Sequence, residues 1–546
     1  MDKRTIIAVM LIALLFIVYT MITRSPKKEG AVPNGQEVVE KSKEEKVSEE
    51  KIKGEGKKED ASKKEKKEIV EAMAVSGEEQ EEKLITVKTN LYTATFSTKG
   101  AAIKSMKLMQ YPGVGDEPVE LIPEEGSAIS LSLVETEKTV DLSEFHTRCE
   151  RDSIILTDGL EDSLVFYYVL DNTPFLKKVF IFDPHRYSIG LRIVSLDTDE
   201  NKLANGLKIH FDSGLSLTEK DERDELAYVR FVSMLGENFE RMRLKDVKEE
   251  KSSIEGRIKW AGVTSKYFLF FILAEDTLIK KVTQWKIEKK RIAFSVSTKE
   301  VQKANFLLYF GPINYYQLKD MGNMLEKSVY FGWDWIAPIS KIIFFIIIGI
   351  HKAIPNYGFV IMVFSIIMMV VFFPLTFKSH ASMRRMQKLQ PKMEAVRKKH
   401  KDDSQKMNAE IMKLYKQNKV NPLGGCLPLL FQMPVFFALY AVLRSTIELR
   451  GAPFILWIQD LSVKDPYFIL PILMGAAMFV QQKFTVTDPR QKAMTYFMPI
   501  FLVFIFSRLP SGIVLYWFVY NLLSIFQQYL IRRGEHEDIV KEPEMK

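Results

Sequence analysis

Histidines and paired carboxylates are the residue types in the first half of the chain that catalysis or metal binding would need. His146, His185 and His210 are scattered, without the spacing of metal ligands. Asp221 and Glu222 lie in the charged run "TEKDERDE", which a solvated loop explains more simply than an acid and base pair. Neither a Gly-x-Ser-x-Gly elbow nor a glycine-rich phosphate loop after a strand occurs. We therefore expect no catalytic site, no metal and no cofactor, and we expect that the chain is not an enzyme.

Composition excludes further classes of protein. The chain has 546 residues, 47% of them hydrophobic, and a formal net charge of +8. Its two cysteines, Cys149 and Cys426, lie in segments that we predict on opposite sides of a membrane, which argues against a disulfide framework or a cysteine metal site. No basic face interleaved with aromatic residues stands out before the apolar second half, so sequence-specific nucleic-acid binding is not expected.

Uncharged polar residues interrupt the long apolar segments of the second half. Gln432 stands in "LPLLFQMPVFFALYAVLRS", and the others are Gln481, Gln482, Asn521, Gln527 and Gln528. Such groups are costly in lipid unless they face partners or water, which favours a polar interior or groove. Hydrogen bonding between helices is the simpler alternative for about half of them. No Asp, Glu or His falls in the middle of an apolar segment, which argues against a proton-coupled transporter and against aspartyl or Ser-His intramembrane proteases.

The elements that must position these residues are membrane spans. Apolar runs of spanning length cover about 357–373, 423–443, 467–482, 493–506 and 512–530. A further run, Ile6 to Ile22, follows Lys3 and Arg4, and it reads as a retained anchor rather than a cleaved signal peptide, because its core is long and no small-x-small site follows.

The distribution of charge predicts the orientation of these spans. Between Thr376 and Val420 there are thirteen Lys and Arg against four acids, a net of +9, which predicts a cytoplasmic loop. Alternation from there predicts six spans with both chain termini in the cytoplasm. The segment after the N-terminal anchor then lies outside.

The outer segment begins with a tether and continues as a β domain. The stretch 25–83 is almost entirely Lys, Glu, Gly and Ser, and it has too few apolar side chains to fold. From 84 to 325, short β-branched and aromatic runs such as "LITVKTNLYTATFST" and "DSLVFYYVL" alternate with turn residues. This pattern predicts a large antiparallel sandwich, in which a cleft for sugars or proteins stays an open alternative.

Two amphipathic regions flank the first span of the second half. Residues 326–356 carry aromatics at one end and charges at the other, which favours an interfacial helix over a short extra span. In the basic loop, apolar residues recur at three and four residue steps and predict a helical hairpin. Its methionine stripe is typical of a seam between two helices, with docking of apolar segments or of anionic lipids as alternatives.

The predicted organisation has eight segments. These are a transmembrane anchor at 1–24, a linker at 25–83, a β domain at 84–325, an interfacial helix at 326–356, a span at 357–375, a basic cytoplasmic hairpin at 376–420, four spans within 421–530 and a cytoplasmic tail at 531–546. The expected fold class is a multi-pass α-helical membrane protein with a large extracytoplasmic all-β domain.

Three stretches carry a resemblance to a known family. "NPLGGCLPLLFQMPVFFALYAVL", "ELRGAPFILWIQDLSVKDPYFILPILMGAAMF" and "MPIFLVFIFSRLPSGIVLYWFVYNLLSIFQQ" resemble the YidC/Oxa/Alb family of membrane protein insertases. "YTATFSTKGAAIKSMKL" resembles the outer domain of Gram-negative members more loosely. The resemblance implies a β-supersandwich outside and a five-helix core in the inner membrane. It also implies a hydrophilic groove, open to cytoplasm and lipid, that inserts membrane proteins without nucleotide hydrolysis.

The resemblance also implies site residues. Ungapped alignment from Asn356 through "FFPLT" puts Met369 where the family has an arginine, and Ser365 where it has a hydroxyl. The candidate groove residues are Ser365, Met369, Gln432, Tyr516, Trp517 and Asn521. The candidate hairpin residues are Met383, Arg384, Arg385, Met386, Lys392 and Met393. Arg444 and Arg508 are nearby cations, but both are predicted near the outer surface, where snorkelling accounts for them.

The expected partners are nascent membrane proteins and the lipid bilayer, with the Sec translocon and the ribosome as candidates that the resemblance adds. The chain is expected to act as a monomer. A multi-pass transporter and a structural assembly factor with an extracytoplasmic binding domain are the alternative functions. The short mixed-charge tail "RRGEHEDIVKEPEMK" gives little reason to expect a strong ribosome-binding extension.

Overall fold

The structure is a computed structural model that describes residues 81–134, 139–157, 159–196, 206–401, 403–418, 420, 427–485 and 492–541. The predicted N-terminal anchor and nearly all of the predicted linker therefore lie outside the described residues. Two regions follow one another along the chain. The first is built mainly of strands and the second of helices, which confirms the expected division into an all-β domain and a helical second half.

The β domain contains nineteen strands among the described residues. They are β1 Leu84–Thr89, β2 Tyr92–Ser97, β3 Ile103–Pro112, β4 Pro118–Glu120, β5 Ser130–Val134, β6 Thr139–Asp141, β7 Thr147–Arg148, β8 Ser153–Leu156, β9 Asp162–Leu170, β10 Thr173–Phe182, β11 Ser188–Ser195, β12 Gly206–Phe211, β13 Arg230–Leu235, β14 Asn238–Arg243, β15 Ser252–Thr264, β16 Phe268–Ala274, β17 Ile279–Ile287, β18 Arg291–Thr298 and β19 Lys303–Pro312.

These strands form two sheets that pack face to face. The smaller sheet has the order β4-β3-β2-β1-β8, and the larger has the order β6-β5-β12-β18-β17-β15-β16-β19-β11-β10-β9-β7, with β13 on β15 and β14 on β13. All described pairs are antiparallel except β1 with β8. In β1 every second residue is buried, as a strand with one solvated face requires, whereas nearly all of β16 is buried.

Buried polar side chains join the two sheets. The Tyr168 hydroxyl donates to the carbonyl of Gly100 at 2.8 Å, and the Lys178 amine donates to the carbonyls of Ala101, at 2.9 Å, and Ile129. Burial holds the pKa of Lys178 well below its ordinary value. The two carbonyls each accept one hydrogen of this amine, so the buried polar group is paired inside the core.

Ten α-helices lie in the described residues. They are α1 Glu222–Leu226, α2 Tyr315–Asp320, α3 Ala337–His351, α4 Tyr357–Lys388, α5 Gln390–Lys399, α6 Ser404–Gln417, α7 Leu427–Ser445, α8 Ile469–Thr485, α9 Lys492–Phe506 and α10 Ser511–Lys541. Among described residues, only Tyr357–Lys388 and Ser511–Leu530 are both long and apolar enough to cross a membrane. Four shorter apolar helices are Ala337–His351, Leu430–Ser445, Ile469–Lys483 and Tyr496–Phe506.

Helix α4 has local causes for both of its ends. Its N-terminus is capped by Asn356, whose side chain accepts hydrogen bonds from the backbone of Gly358 and Phe359. The glycine is required because a Cβ there would lie 1.9 Å from the ring of Phe454. The helix runs on past the predicted span to Lys388, and α5 begins immediately after a break that precedes Pro391. Part of the predicted hairpin therefore continues the span as one helix.

Helix α10 is the central element of the helical half. It packs against α8, α4 and α7, while α3 packs on α7 and α4. Aromatic rings fix one of these contacts, because the Trp517 ring meets Phe436 at 5.3 Å and Phe506 at 5.5 Å between centroids. Polar residues on α10 can therefore reach three other helices.

The β domain is ion-paired to the C-terminal end of α7 and to the segment that follows it. Asp224 binds both Lys266, at 2.9 Å, and Arg444. Glu219 binds Arg450 at 2.7 Å. Arg444 was expected to snorkel, but the structure instead gives it a carboxylate partner from a segment more than 200 residues earlier, which position in the sequence alone could not reveal. The other expected snorkelling residue, Arg508, lies over the Phe504 ring at 5.1 Å.

Candidate functional site

One face of α10 carries a series of polar residues. Tyr516, Asn521, Ser524, Gln527 and Gln528 recur at steps of one to five residues, which keeps them near one side of a helix. All five are buried against neighbouring helices. Since the opposite residues, such as Leu522 and Phe526, are exposed, α10 has a polar inner face and an apolar outer face. We call the inner residues and their partners the polar column.

The first level of the polar column joins α7 to α10. The Gln432 side-chain amide donates to the Tyr516 hydroxyl at 2.7 Å, and both residues are buried. Ser365 is fully buried on α4 and donates to the backbone carbonyl of Ile361 in its own helix at 2.8 Å. The Phe364 ring beside it meets the Tyr516 ring at 5.8 Å between centroids. The structure thus brings predicted residues from three helices to the same level.

The second level joins α8 and α4 to α10. The Gln481 amide donates to the Ser524 hydroxyl at 2.7 Å. The Gln527 amide donates to the Thr376 hydroxyl at 3.3 Å. Sequence reasoning did not single out Thr376 or Ser524. Ser524 could have been found from its spacing of eight residues after Tyr516, which is just over two helical turns.

Between these two levels, two donors have no partner. The Asn521 side-chain nitrogen and the Trp517 indole nitrogen are buried and form no hydrogen bond to any described residue. A buried donor that is left unpaired costs about 1–3 kcal/mol. These two groups are therefore the members of the polar column that gain most from a polar ligand.

The polar column contains no charged member among the described residues that form it. Met369 is half-buried on α4 and offers only a thioether, which is a weak hydrogen-bond acceptor. Its neighbour Met368 is more deeply buried, at 8% exposure. The site can therefore exchange hydrogen bonds with a peptide, but it holds no fixed positive charge at position 369.

The hairpin residues separate into a packed group and a solvent-facing group. Met393 is buried with Leu389 and Val420, and Met386 packs against the same cluster. Arg385 and Lys392 are exposed, whereas Met383 and Arg384 are half-buried. The inner methionines thus form the seam within the hairpin, and the basic side chains cover its outside.

Comparison with known proteins identifies relatives for both halves. Residues 84–346 match the family model described as the YidC periplasmic domain, and residues 349–538 match the model described as the 60Kd inner membrane protein. The protein named Membrane protein insertase YidC in Syntrophus aciditrophicus is 36% identical over 481 residues, which are 85% of this chain and 88% of that protein.

Full-length similarity extends to a second relative. Membrane protein insertase YidC of Geobacter metallireducens is 34% identical over 550 residues, covering 98% of this chain and 99% of that protein. Among solved structures, the active YidC insertase with its first transmembrane domain resolved is 18% identical with a TM-score of 0.40, over 82% of this chain and 93% of that chain.

Proposed function

Because the chain belongs to the YidC family of membrane protein insertases, we propose that the polar column is where it receives the polar part of a substrate during insertion. Membrane protein insertion is the function of the family, and it takes precedence over the transporter and assembly-factor alternatives. The chain is accordingly an inner-membrane protein with a periplasmic β domain and nascent membrane proteins as substrates.

The unpaired donors of Asn521 and Trp517 are the observation that carries this proposal. A substrate tail that crosses the bilayer must leave its water hydrogen bonds, and each unreplaced bond is costly in hydrocarbon. Donors held between two hydrogen-bonded levels can bind the tail part-way across. The apolar segment of the substrate can then move into lipid, so the tail does not cross the bilayer unsolvated.

The neutrality of the polar column defines which tails it accepts. In the family an arginine at the position of Met369 holds acidic tails, as the resemblance implies. A thioether provides no such attraction, so this chain should select tails by hydrogen bonding rather than by charge. Tails rich in Ser, Thr, Asn and backbone groups are the substrates that suit it best.

Six spans with both termini in the cytoplasm remain the topology that we propose. Five of the spans would be α4, α7, α8, α9 and α10, which form the core, and the sixth would be the N-terminal anchor. The cluster of basic residues in α5 and α6 supports a cytoplasmic hairpin. Exposed Trp333 and Trp335 before α3 support an interfacial position for that helix. The Sec translocon and the ribosome stay predicted partners.

The test compares two residues that are neighbours on α10. Asn521→Leu removes an inward donor while keeping a similar volume, and Leu522→Ala alters the exposed outer face. In proteoliposomes, we expect Asn521→Leu to slow insertion of a single-span substrate with a polar tail about tenfold, the size of one lost hydrogen bond to a buried group. Leu522→Ala should insert as the unchanged protein does. Equal rates for all three proteins would overturn the role of the polar column.

A further inference from the structure

Arg230 is a buried cation that forms no ion pair with any carboxylate in the described ranges of the chain. It lies on β13 and is 8% exposed. Among the residues that the structure describes, its guanidinium contacts only two rings, those of Tyr228 and Tyr330, with centroids 5.6 and 4.1 Å away. A ring faces the flat side of a guanidinium, so the in-plane N–H donors stay available for an acceptor. Since an uncompensated buried charge is costly, this side chain favours an anionic ligand.

A second arginine lies on the same face of the β13 and β14 hairpin. Arg230 pairs with Arg243 and Val232 pairs with Arg241, so all four side chains project to one side. Arg241 lies 5.6 Å from the centroid of the same Tyr330 ring and donates to the carbonyl of Lys327 at 2.5 Å. Its Nε is buried without a partner among the described groups. Arg230 and Arg241 together form what we call the arginine pair.

Guanidinium groups keep their charge at neutral pH even where burial lowers their pKa, so both members of the arginine pair are cations. Burial lowers the pKa of Arg230. Burial and then the nearby Arg230 charge lower the pKa of Arg241 to about 10. The third arginine of this face, Arg243, is already paired with Asp246 at 2.7 Å.

The carboxylates around the arginine pair are engaged elsewhere. Asp224 and Glu219 bind other cations, and Asp334 is exposed and acts on Arg241 only through its charge. An open cavity of about 310 Å³ beside Arg241 is lined in part by Glu240 and Asp246, which would repel an anion. The favourable position for an anion is therefore the Tyr330 side of the arginine pair.

The Tyr330 side faces the outer surface of the membrane region. The Tyr330 carbonyl accepts a hydrogen bond from Ser445, at the last residue of α7, at 2.7 Å. Three residues further along the chain, Trp333 stacks on Trp335 at 6.2 Å, and the two are 38% and 63% exposed. Tryptophans concentrate at the level of lipid headgroups, which sets the height of the arginine pair in the outer leaflet.

We propose that Arg230 and Arg241 bind the phosphate of an anionic phospholipid headgroup, such as phosphatidylglycerol, in the outer leaflet. One phosphate offers enough oxygens to accept from two guanidinium groups at once. A zwitterionic headgroup fits less well, because its own ammonium partly neutralises the phosphate. The bound lipid would fix the β domain over the outer ends of the helices, beside the ion pairs of Asp224.

Native mass spectrometry of the full chain, released from detergent, can test this site. Dioctanoyl phosphatidylglycerol and dioctanoyl phosphatidylcholine are added separately as probes, and inorganic phosphate and an acidic peptide are then added as competitors. The tightest step is the binding of the first phosphatidylglycerol molecule. We expect Arg230→Gln and Arg241→Gln each to raise its dissociation constant about tenfold or more, which corresponds to the loss of one charge-assisted hydrogen bond. Arg257→Gln, on the exposed part of β15, is the matched control and should leave this step unchanged. Arg230→Lys keeps the positive charge but lacks the planar set of N–H donors of a guanidinium, so it should weaken lipid binding less than Arg230→Gln does.

The outcomes separate the sources of the ligand. An equal loss in Arg257→Gln, or no loss in the variants of the arginine pair, overturns the site. Displacement of the lipid by millimolar inorganic phosphate overturns the lipid assignment in favour of free phosphate. Displacement by an acidic peptide at equal concentration overturns it in favour of a protein ligand. The thermal midpoint of each variant is measured without lipid to find any variant that is unfolded. If Arg230→Gln is unfolded, lipid binding by Arg230→Lys and Arg241→Gln decides the result.

Discussion

The polar column and the junction between β domain and helices both bury polar side chains, but they do so in opposite ways. At the junction, Asp224 is bound by two cations and Glu219 by a third. In the polar column every described member is uncharged, and two donors have no hydrogen-bond partner within the part of the chain that the structure describes. Charges are tolerated when they are paired near the aqueous surface, whereas the same charges inside a bilayer would be far costlier. The difference fits our proposal that the polar column receives substrate, whereas the ion pairs of the junction link the β domain to the helices.

The largest expected effect comes from breaking the junction. Asp224→Ala leaves Lys266 and Arg444 buried without their shared anion, so it should lower the free energy of unfolding by about 3 kcal/mol. Thermal or denaturant unfolding of the full chain measures this loss. The control is Asp246→Asn, which breaks the exposed pair with Arg243 and should cost less than about 1 kcal/mol. A small effect of Asp224→Ala would mean that the ion pairs do not hold the junction.

The state of Lys266 supports the same prediction. Burial lowers the pKa of Lys266, but the nearby Tyr267 and Asp224 oxygens raise it by more, so the net pKa lies above its ordinary value. The side chain therefore stays charged at any physiological pH. Removing Asp224 takes away one of the two groups that offset burial, so Lys266 must either keep an uncompensated charge or lose its proton, and both states cost free energy.

A charge placed on α4 at position 369 should alter the choice of substrate. Met369→Arg supplies the cation that the family has at this position, so it should raise the insertion of a substrate with an acidic tail by about fivefold, or about 1 kcal/mol of attraction. The substrate with neutralised tail charges should gain nothing. Met369→Gln is polar but uncharged, and it serves as the control. If Met369→Arg raises the insertion of acidic tails no more than that of neutral tails, the proposal that this chain selects tails without electrostatic capture is wrong.

How much the sequence predicted can be seen from particular residues. Alternating apolar residues along β1 predicted the β domain, and the long apolar segments predicted the helical half. The stretches around Gln432 and Tyr516 predicted the family correctly. The bond from Gln432 to Tyr516 could not be read from the chain, because 84 positions separate the two and only tertiary packing joins them. The ion pair between Asp224 and Arg444 could not be predicted from the sequence for the same reason.

Other differences concern local structure. Helix α4 runs through Pro374 to Lys388, and no glycine lies between Phe359 and Lys388 to interrupt it. The Thr376 hydroxyl, just after the proline, donates to the carbonyls of Phe372 and Phe373. A proline in a helix interior removes a backbone hydrogen bond and commonly ends the helix, so the sequence favoured an earlier end. The hydroxyl of the expected groove residue Ser365 donates to the Ile361 carbonyl of its own helix. The sequence does not predict this bond, because it depends on the side-chain rotamer of Ser365.

The smallest expected effect is a pH dependence at the edge of the junction. Burial raises the pKa of Glu448 to about 7, and the Asn314 amide lies 3.2 Å from its carboxyl oxygen. A carboxyl group with a raised pKa in the folded state stabilises the fold below its unfolded value of about 4.3, and this contribution is lost as pH rises through 7. The thermal midpoint should therefore fall between pH 5.5 and pH 8 more in the unchanged protein than in Glu448→Gln. Identical pH profiles for the two proteins would contradict the buried state of this carboxyl group.

Crosslinking of a stalled substrate to the helices tests the central claim most directly. A photoreactive residue is placed at position 521 in the polar column or at Ile500, which is 72% exposed on the outer face of α9. During insertion of a single-span substrate, the polar tail should crosslink at position 521 and not at position 500. Tail crosslinks at position 500 alone, or equally at both positions, would contradict the role of the polar column as the place where the tail is received.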